Sequence, residues 1–144
     1  MQVQNILKSK GDSGVVTIAP GSTLAEAAAV LAARRIGSVV VSPDGKAASG
    51  ILSERDIVRE LAARGAVCLT DKVEDVMTTE VQTCRLSDTA DAVLARMTEG
   101  RFRHMPVEES GAMAGIVTIG DVVKARLMEL SMEKDALEGM IMGH

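Results

Sequence analysis

The feature that most constrains this chain is a duplication. Gly50-Ile51-Leu52-Ser53-Glu54-Arg55-Asp56-Ile57-Val58-Arg59 returns as Gly115-Ile116-Val117-Thr118-Ile119-Gly120-Asp121-Val122-Val123-Lys124, with apolar, hydroxyl, carboxylate and basic positions in step at an offset of 65. The Gly-Ile-Leu or Gly-Ile-Val run predicts the end of a buried strand, the hydroxyl residue a helix N-cap, and the Asp three positions on a first-turn acid. Each copy is therefore a strand-to-helix corner.

The duplication extends beyond the corner. At an offset of 66, Val15 meets Val81, Thr17 meets Thr83, Thr23 meets Thr89, Leu31 meets Met97, Ile36 meets Phe102, Val41 meets Val107 and Gly45 meets Gly111. The one-residue deletion that reconciles the two offsets falls between Gly45 and Gly50, in a turn where length changes are tolerated. Val3-Gln4-Asn5-Ile6-Leu7 also matches Val73-Glu74-Asp75-Val76-Met77 once four extra residues are allowed in Lys8–Gly14. Two copies are too few for a solenoid, which leaves a pseudo-twofold pair. A half of about 60 residues is marginal alone, so the halves are expected to share a core.

That core must be aliphatic. The chain of 144 residues is 47% apolar, yet Phe102 is its only aromatic ring among Phe, Tyr and Trp, and nine Met residues join Ala, Val, Leu and Ile as filling. A net charge of −4, without interleaved aromatic and basic residues, argues against nucleic acid as the primary partner. Cys68 and Cys84 lack metal spacing and are expected as reduced thiols. The opening Met1–Lys10 carries Lys8 and Lys10 after a short apolar pair, which fits neither a signal peptide nor a membrane span, so a cytoplasmic location is expected.

In chain order, Met1–Leu7 is expected as a lead-in segment and Lys8–Gly14 as a polar loop. Strands are predicted over Val15–Ile18, Ser38–Ser42 and Ala47–Leu52, the last two around the Pro43-Asp44-Gly45 turn. Helices are predicted over Leu24–Arg35, with Thr23 and Glu26 as a capping box, and from Ser53 to Arg64, stopped by Gly65. Ala66–Asp75 reads as a fixed joint. The second repeat then predicts strand Val81–Cys84, helix Thr89–Thr98, strands His104–Val107 and Ala114–Val117, and a helix from Thr118 that continues through Lys124–Met142. On it Leu127, Leu130, Leu137 and Met140 recur near helical spacing, an apolar stripe that wants a partner.

Strand, helix, strand, turn, strand, Ser/Thr-x-x-Asp and helix, twice over, resembles a tandem cystathionine-β-synthase (CBS) domain pair, or Bateman module. The resemblance covers about residues 3 to 130, carried by Val76-Met77, by Met105-Pro106-Val107 and by the two Gly-Ile-x-Ser/Thr-x-x-Asp corners. It implies an α/β (α+β) fold of two pseudo-twofold-related βαββα repeats packed through their sheets. The boundaries expected are 1–70 and 71–130 for the repeats and 131–144 for a C-terminal helical tail. The resemblance further implies a flat homodimer, with the Lys124–Met142 helix contributing to the contact.

The two corners admit two readings. Ser53 with Asp56, and Thr118 with Asp121, can be capping boxes and nothing more. In the family this Asp takes the ribose hydroxyls of an adenosine while the hydroxyl residue assists, and an ionised carboxylate can accept from both hydroxyls of a diol. Gly100-Arg101-Phe102-Arg103-His104 is either a solvated basic edge, with Arg101 and Arg103 on one face by strand alternation, or a phosphate clamp. The matching stretch of the first repeat, Arg35-Ile36-Gly37-Ser38, is less basic, so the two sites are expected to differ. Arg55, at a helix start, is either an exposed helix residue or a further phosphate contact. Thr17 and Thr83 are expected to border the adenine.

An enzyme is not expected. The sequence has no Ser, His and Asp arrangement, no zinc spacing, no phosphate-loop or dinucleotide fingerprint, and only His104 and the terminal His144 for acid–base work. The expected function is a stand-alone regulatory module that binds AMP, ATP or NAD(H) between its repeats, without a metal, and modulates an unidentified protein partner. The alternative is a constitutive dimerisation or scaffold module without a physiological ligand.

Overall fold

In a computed structural model, residues 1–11 and 14–141 are described; the expectations for Asp12, Ser13, Met142 and His144 lie outside them. The fold is mixed α/β, with two repeats, two small sheets and a long last helix. The chain divides into two compact units. One unit comprises Gly14–Gln82 with Glu109–Ala114, and the other Met1–Ser13, Thr83–Glu108 and Gly115–His144. They are called here the first-repeat and second-repeat units.

The first-repeat unit holds strand β1 (Thr17–Ile18), helix α2 (Leu24–Arg34), strands β2 (Ser38–Val41) and β3 (Gly50–Ser53) and helix α3 (Glu54–Arg64). Strand β1 runs parallel to β2, and β2 antiparallel to β3 with Ser38 opposite Ser53 and Val41 opposite Gly50. β3 starts later than predicted because the Asp44 side chain accepts from the N–H groups of Lys46 and Ala47, which ties Ala47 to the turn rather than to the ladder. Gly65, with φ of 73°, ends α3, and two short 3₁₀ turns, Gly65–Thr70 and Val73–Asp75, form the joint. Leu24, Leu31, Val39, Val41, Leu52 and Val73 fill the interior.

The second-repeat unit contains helix α1 (Val3–Lys10), helix α4 (Ala90–Gly100), strands β4 (His104–Glu109) and β5 (Ala112–Thr118) and helix α5 (Ile119–Ile141). The tip of the β4–β5 hairpin counts with the first-repeat unit. Two expectations need correction here. Residues 8–10, predicted as loop, complete α1: Val3 and Ile6 are buried on its inner face, and Lys8 and Lys10 suit the negative C-terminal end. The predicted strand Val81–Cys84 reduces to one bridge between Cys84 and Val107. In the first repeat the Val40 N–H donates to the Val16 carbonyl. The matching residue is Pro106, which has no N–H to give, so the ladder cannot extend.

Each unit has its own buried cluster, completed by a segment from outside its own repeat. Val3 and Ile6, ahead of the first repeat, pack with Ala90, Val93, Met97, Met105 and Val117 of the second. Val73, ahead of the second repeat, packs with residues of the first. The backbone repeats the pattern. Val3 donates to the Asp88 carbonyl at 2.9 Å and Ala90 to that of Met1 at 2.9 Å; Val73 donates to Ser22 at 2.8 Å and Leu24 to Asp71 at 2.9 Å. Glycine at the strand ends gives these segments room. A Cβ on Gly50 would overlap the Met77 side chain, and one on Gly115 would lie 2.9 Å from a Leu7 methyl.

Helix α5 leaves Leu127, Leu130, Leu137 and Met140 exposed, as their spacing predicted. No described helix is long and apolar enough to cross a membrane.

Candidate functional site

The candidate residues form two sets, one in each unit. In the first-repeat unit, Ser53 ends β3 and caps α3. The Asp56 N–H donates to Ser53 Oγ at 3.3 Å, while Asp56 Oδ2 accepts from the Ser53 N–H at 2.9 Å and its hydroxyl at 3.0 Å. The other carboxylate oxygen, Oδ1, takes a guanidinium N–H of Arg59 at 2.8 Å. Asp56 is buried, and Arg59 is two-thirds exposed. Sequence reading missed this pairing, although a basic residue one helical turn after the acid was its signal. Arg55 is exposed and forms no ion pair with the described residues. Thr17, half-buried in β1, lies opposite Val40.

In the second-repeat unit the corner repeats with a different cation. The Asp121 N–H donates to Thr118 Oγ1 at 3.1 Å, and Asp121 Oδ2 accepts from the Thr118 N–H at 2.9 Å. The same oxygen accepts from Lys10 Nζ at 2.8 Å, and Nζ also donates to the Ile116 carbonyl at 3.0 Å. Burial pushes the Asp121 pKa up, but the Lys10 ammonium and the Thr118 N–H outweigh it and hold the carboxyl below its ordinary range. It remains an ionised acceptor at neutral pH. No local signal pointed to Lys10, because its place on α1 depends on tertiary packing.

The basic stretch joins this corner through the backbone: the Ile119 N–H donates to the Arg103 carbonyl at 2.8 Å, as the Glu54 N–H donates to that of Gly37 at 2.9 Å in the other unit. Arg101 and Arg103 are exposed and His104 half-buried at the start of β4. The expected alternation of Arg101 and Arg103 does not hold. α4 runs to Gly100, so Arg101 is its left-handed C-cap, with φ of 56°, and only the residues from His104 onward are strand. Arg35 caps α2 in the same way, with φ of 54°. Thr83 is half-buried, and its carbonyl accepts from Arg96 at 2.9 Å.

Each corner thus presents a hydroxyl and a carboxylate acceptor at a helix N-terminus, an arrangement suited to hydroxyl and anion recognition rather than bond-making. Among the described residues no group of three or more His, Cys, Asp or Glu gathers in metal-binding fashion. Cys68 and Cys84 are free and buried.

Comparison with known proteins gives this geometry a context. A mitochondrial CBS domain-containing protein of Arabidopsis thaliana is 32% identical over an alignment 148 positions long, which covers 98% of this chain and 72% of that protein. The chain spans 22–23% of four longer CBS proteins of the same plant. The crystal structure of a CBS-domain-containing protein from Agrobacterium tumefaciens, 46% identical, superposes with a TM-score of 0.83 over 88% of this chain and 99% of that one. A CBS domain protein from Pyrobaculum aerophilum complexed with AMP, 25% identical, superposes with a TM-score of 0.77 over 92% of this chain and 99% of its own. The CBS domain family model matches twice, at residues 11–63 and 73–128, and with both repeats so accounted for, the chain belongs to the CBS-domain family as a tandem pair.

Proposed function

We propose that this chain is a regulatory module that binds an adenine nucleotide, AMP, ATP or NAD(H), and modulates a protein partner rather than catalysing a reaction. The observation that carries the reading is the duplicated corner: two carboxylates, Asp56 and Asp121, held in matching geometry beside Ser53 and Thr118 at helix N-termini. An ionised Asp suits the ribose diol, and the AMP complex of the Pyrobaculum relative supports the ligand class. Arg101, Arg103 and His104 would serve phosphates at the second corner and Arg55 at the first, with Thr17 and Thr83 bordering the base. Calorimetry with AMP, ATP, NAD and adenosine tests this. Asp56→Ala and Asp121→Ala should each lose about 1.5–3 kcal/mol of binding, the range for a hydrogen bond to a charged group. Arg103→Ala should weaken AMP more than adenosine. Unchanged affinity in both Asp variants would reduce the acids to caps.

A second reading, a constitutive dimerisation module, is favoured by the exposed apolar residues of α5, with Leu137 60% and Met140 77% exposed. A homodimer that covers them serves either reading. Truncation after Leu127 should weaken association, and light scattering that shows a monomer for the full chain at micromolar concentration would remove the dimer.

A further inference from the structure

The two acceptors are held by different cations, and the difference lies in where each cation comes from. Arg59 reaches Asp56 from the next turn of the same helix, and its exposed guanidinium can swing into water without moving backbone. Lys10 reaches Asp121 from another element. Val3 and Ile6 anchor α1 in the core, Gly11, with φ of 79°, ends it, and the ammonium sits between two acceptors, Asp121 Oδ2 and the Ile116 carbonyl. Both partners are largely screened from solvent, with 26% of the Lys10 and 22% of the Asp121 side chain exposed.

Among the described residues, no lysine pairs with Asp56. The correspondence that pairs Val3 with Val73 and Leu7 with Met77 stops short of Lys10, which falls in the Lys8–Gly14 stretch that carries the four extra residues. Lys124, one turn after Asp121 as Arg59 is after Asp56, lines with Asp121 and Lys10 a crevice of about 120 Å³ between α1 and α5, to which Asn5, Ser9 and Met128 also contribute. The corners match in backbone and differ in the cation that occupies the carboxylate.

We propose that Lys10 is a latch on the second ribose acceptor: a nucleotide whose diol takes both carboxylate oxygens of Asp121 displaces the ammonium from Oδ2, and in doing so releases the C-terminal end of α1. This rests on the nucleotide-binding reading above. A neutral hydroxyl replaces a charged donor at either acceptor, but Arg59 is 66% exposed and gives way into water whereas Lys10 is 26% exposed and tied to a second acceptor, so the Asp121 site fills at higher nucleotide concentration than the Asp56 site. Filling it also loosens a helix whose inner face belongs to the core. The two acceptors then respond to different ranges of one ligand, the second with a mechanical consequence that the first lacks.

The test uses the full chain with the first site disabled by Asp56→Ala, with AMP as the probe. Adding Lys10→Met should tighten AMP about three- to tenfold by calorimetry, the scale of one partly exposed charge-assisted bond. Lys10→Arg should restore the original affinity. Hydrogen exchange should show the amides of Lys8–Gly11 exchanging faster when AMP saturates the Asp56→Ala chain, and already fast without AMP in the Lys10→Met variant. AMP affinity that is unchanged or weaker in Lys10→Met, while Asp121→Ala still weakens binding at this site, overturns the latch alone and makes Lys10 a bystander or a ligand contact. Failure of the wild-type chain to bind AMP, ATP or NAD overturns the nucleotide reading, and the latch with it.

Discussion

Truncating Val3 to Ala should destabilise the second repeat, which begins some seventy residues later, and truncating Val73 should destabilise the first. Both side chains are fully buried, Val3 among Ala90, Val93, Met97 and Met105 and Val73 among Leu24, Val39 and Leu52. Each change removes two methyl-sized groups, about 1.6 kcal/mol of transfer energy at ~0.8 kcal/mol per buried CH₂. The cavity left behind raises the total to about 2–3 kcal/mol. Urea unfolding followed by circular dichroism gives that total, and native-state hydrogen exchange gives its location. Val3→Ala should speed exchange in α4 and β4 and spare α2 and β2; Val73→Ala should do the reverse. Loss of protection in the repeat that follows each residue in sequence would refute the exchanged packing, as would a stability change under about 0.5 kcal/mol in either variant.

Gly50→Ala should cost about 1–3 kcal/mol, because the new methyl meets the Thr78 carbonyl oxygen at 2.9 Å as well as Met77. Gly115→Ala meets only the movable Leu7 side chain and should cost less, so equal shifts in melting temperature would contradict the difference in surroundings. Burial pushes the Cys84 thiol up to about 11, with Asp88 adding to it, so it should resist a disulfide reagent at about pH 8 until urea unfolds the chain; rapid native labelling would refute this. The depressed pKa of Asp121 contributes stability that is fully present above the unfolded carboxyl value, near 3.9, and is lost as pH falls through the lower folded value. Asp121→Asn should flatten that acid limb in urea midpoints measured below about pH 4, and an unchanged limb would place the proton uptake elsewhere.

What could be read from sequence was what short spacing encodes. The Ser53–Asp56 and Thr118–Asp121 boxes, the stop at Gly65 and the exposed stripe on α5 depend on residues within one or two turns of each other, and the structure carries them as read. What failed depended on distant partners. Lys8 and Lys10 look like loop residues until Val3 and Ile6 find a core to enter, and the Lys10–Asp121 pair spans almost the whole chain. Val81–Cys84 has the composition of a strand, but its ladder needed an N–H from position 106, where the chain has proline. The basic stretch was legible as charge and not as geometry, because the extension of α4 to Gly100 turns Arg101 into a cap.

The exchanged lead-ins also set an order on folding during synthesis. The core that Val3 and Ile6 enter is built from residues between Cys84 and Ala125, so α1 is translated before any of its partners exist. A helix of eight residues is not stable by itself in water. At roughly 5–20 residues per second, α1 waits several seconds with its apolar face uncovered while the first repeat emerges. That repeat cannot close its own core until Val73 has left the ribosome. Completion is therefore deferred to the final helix for one half of the molecule, and a nascent chain stalled before Val73 has neither half finished.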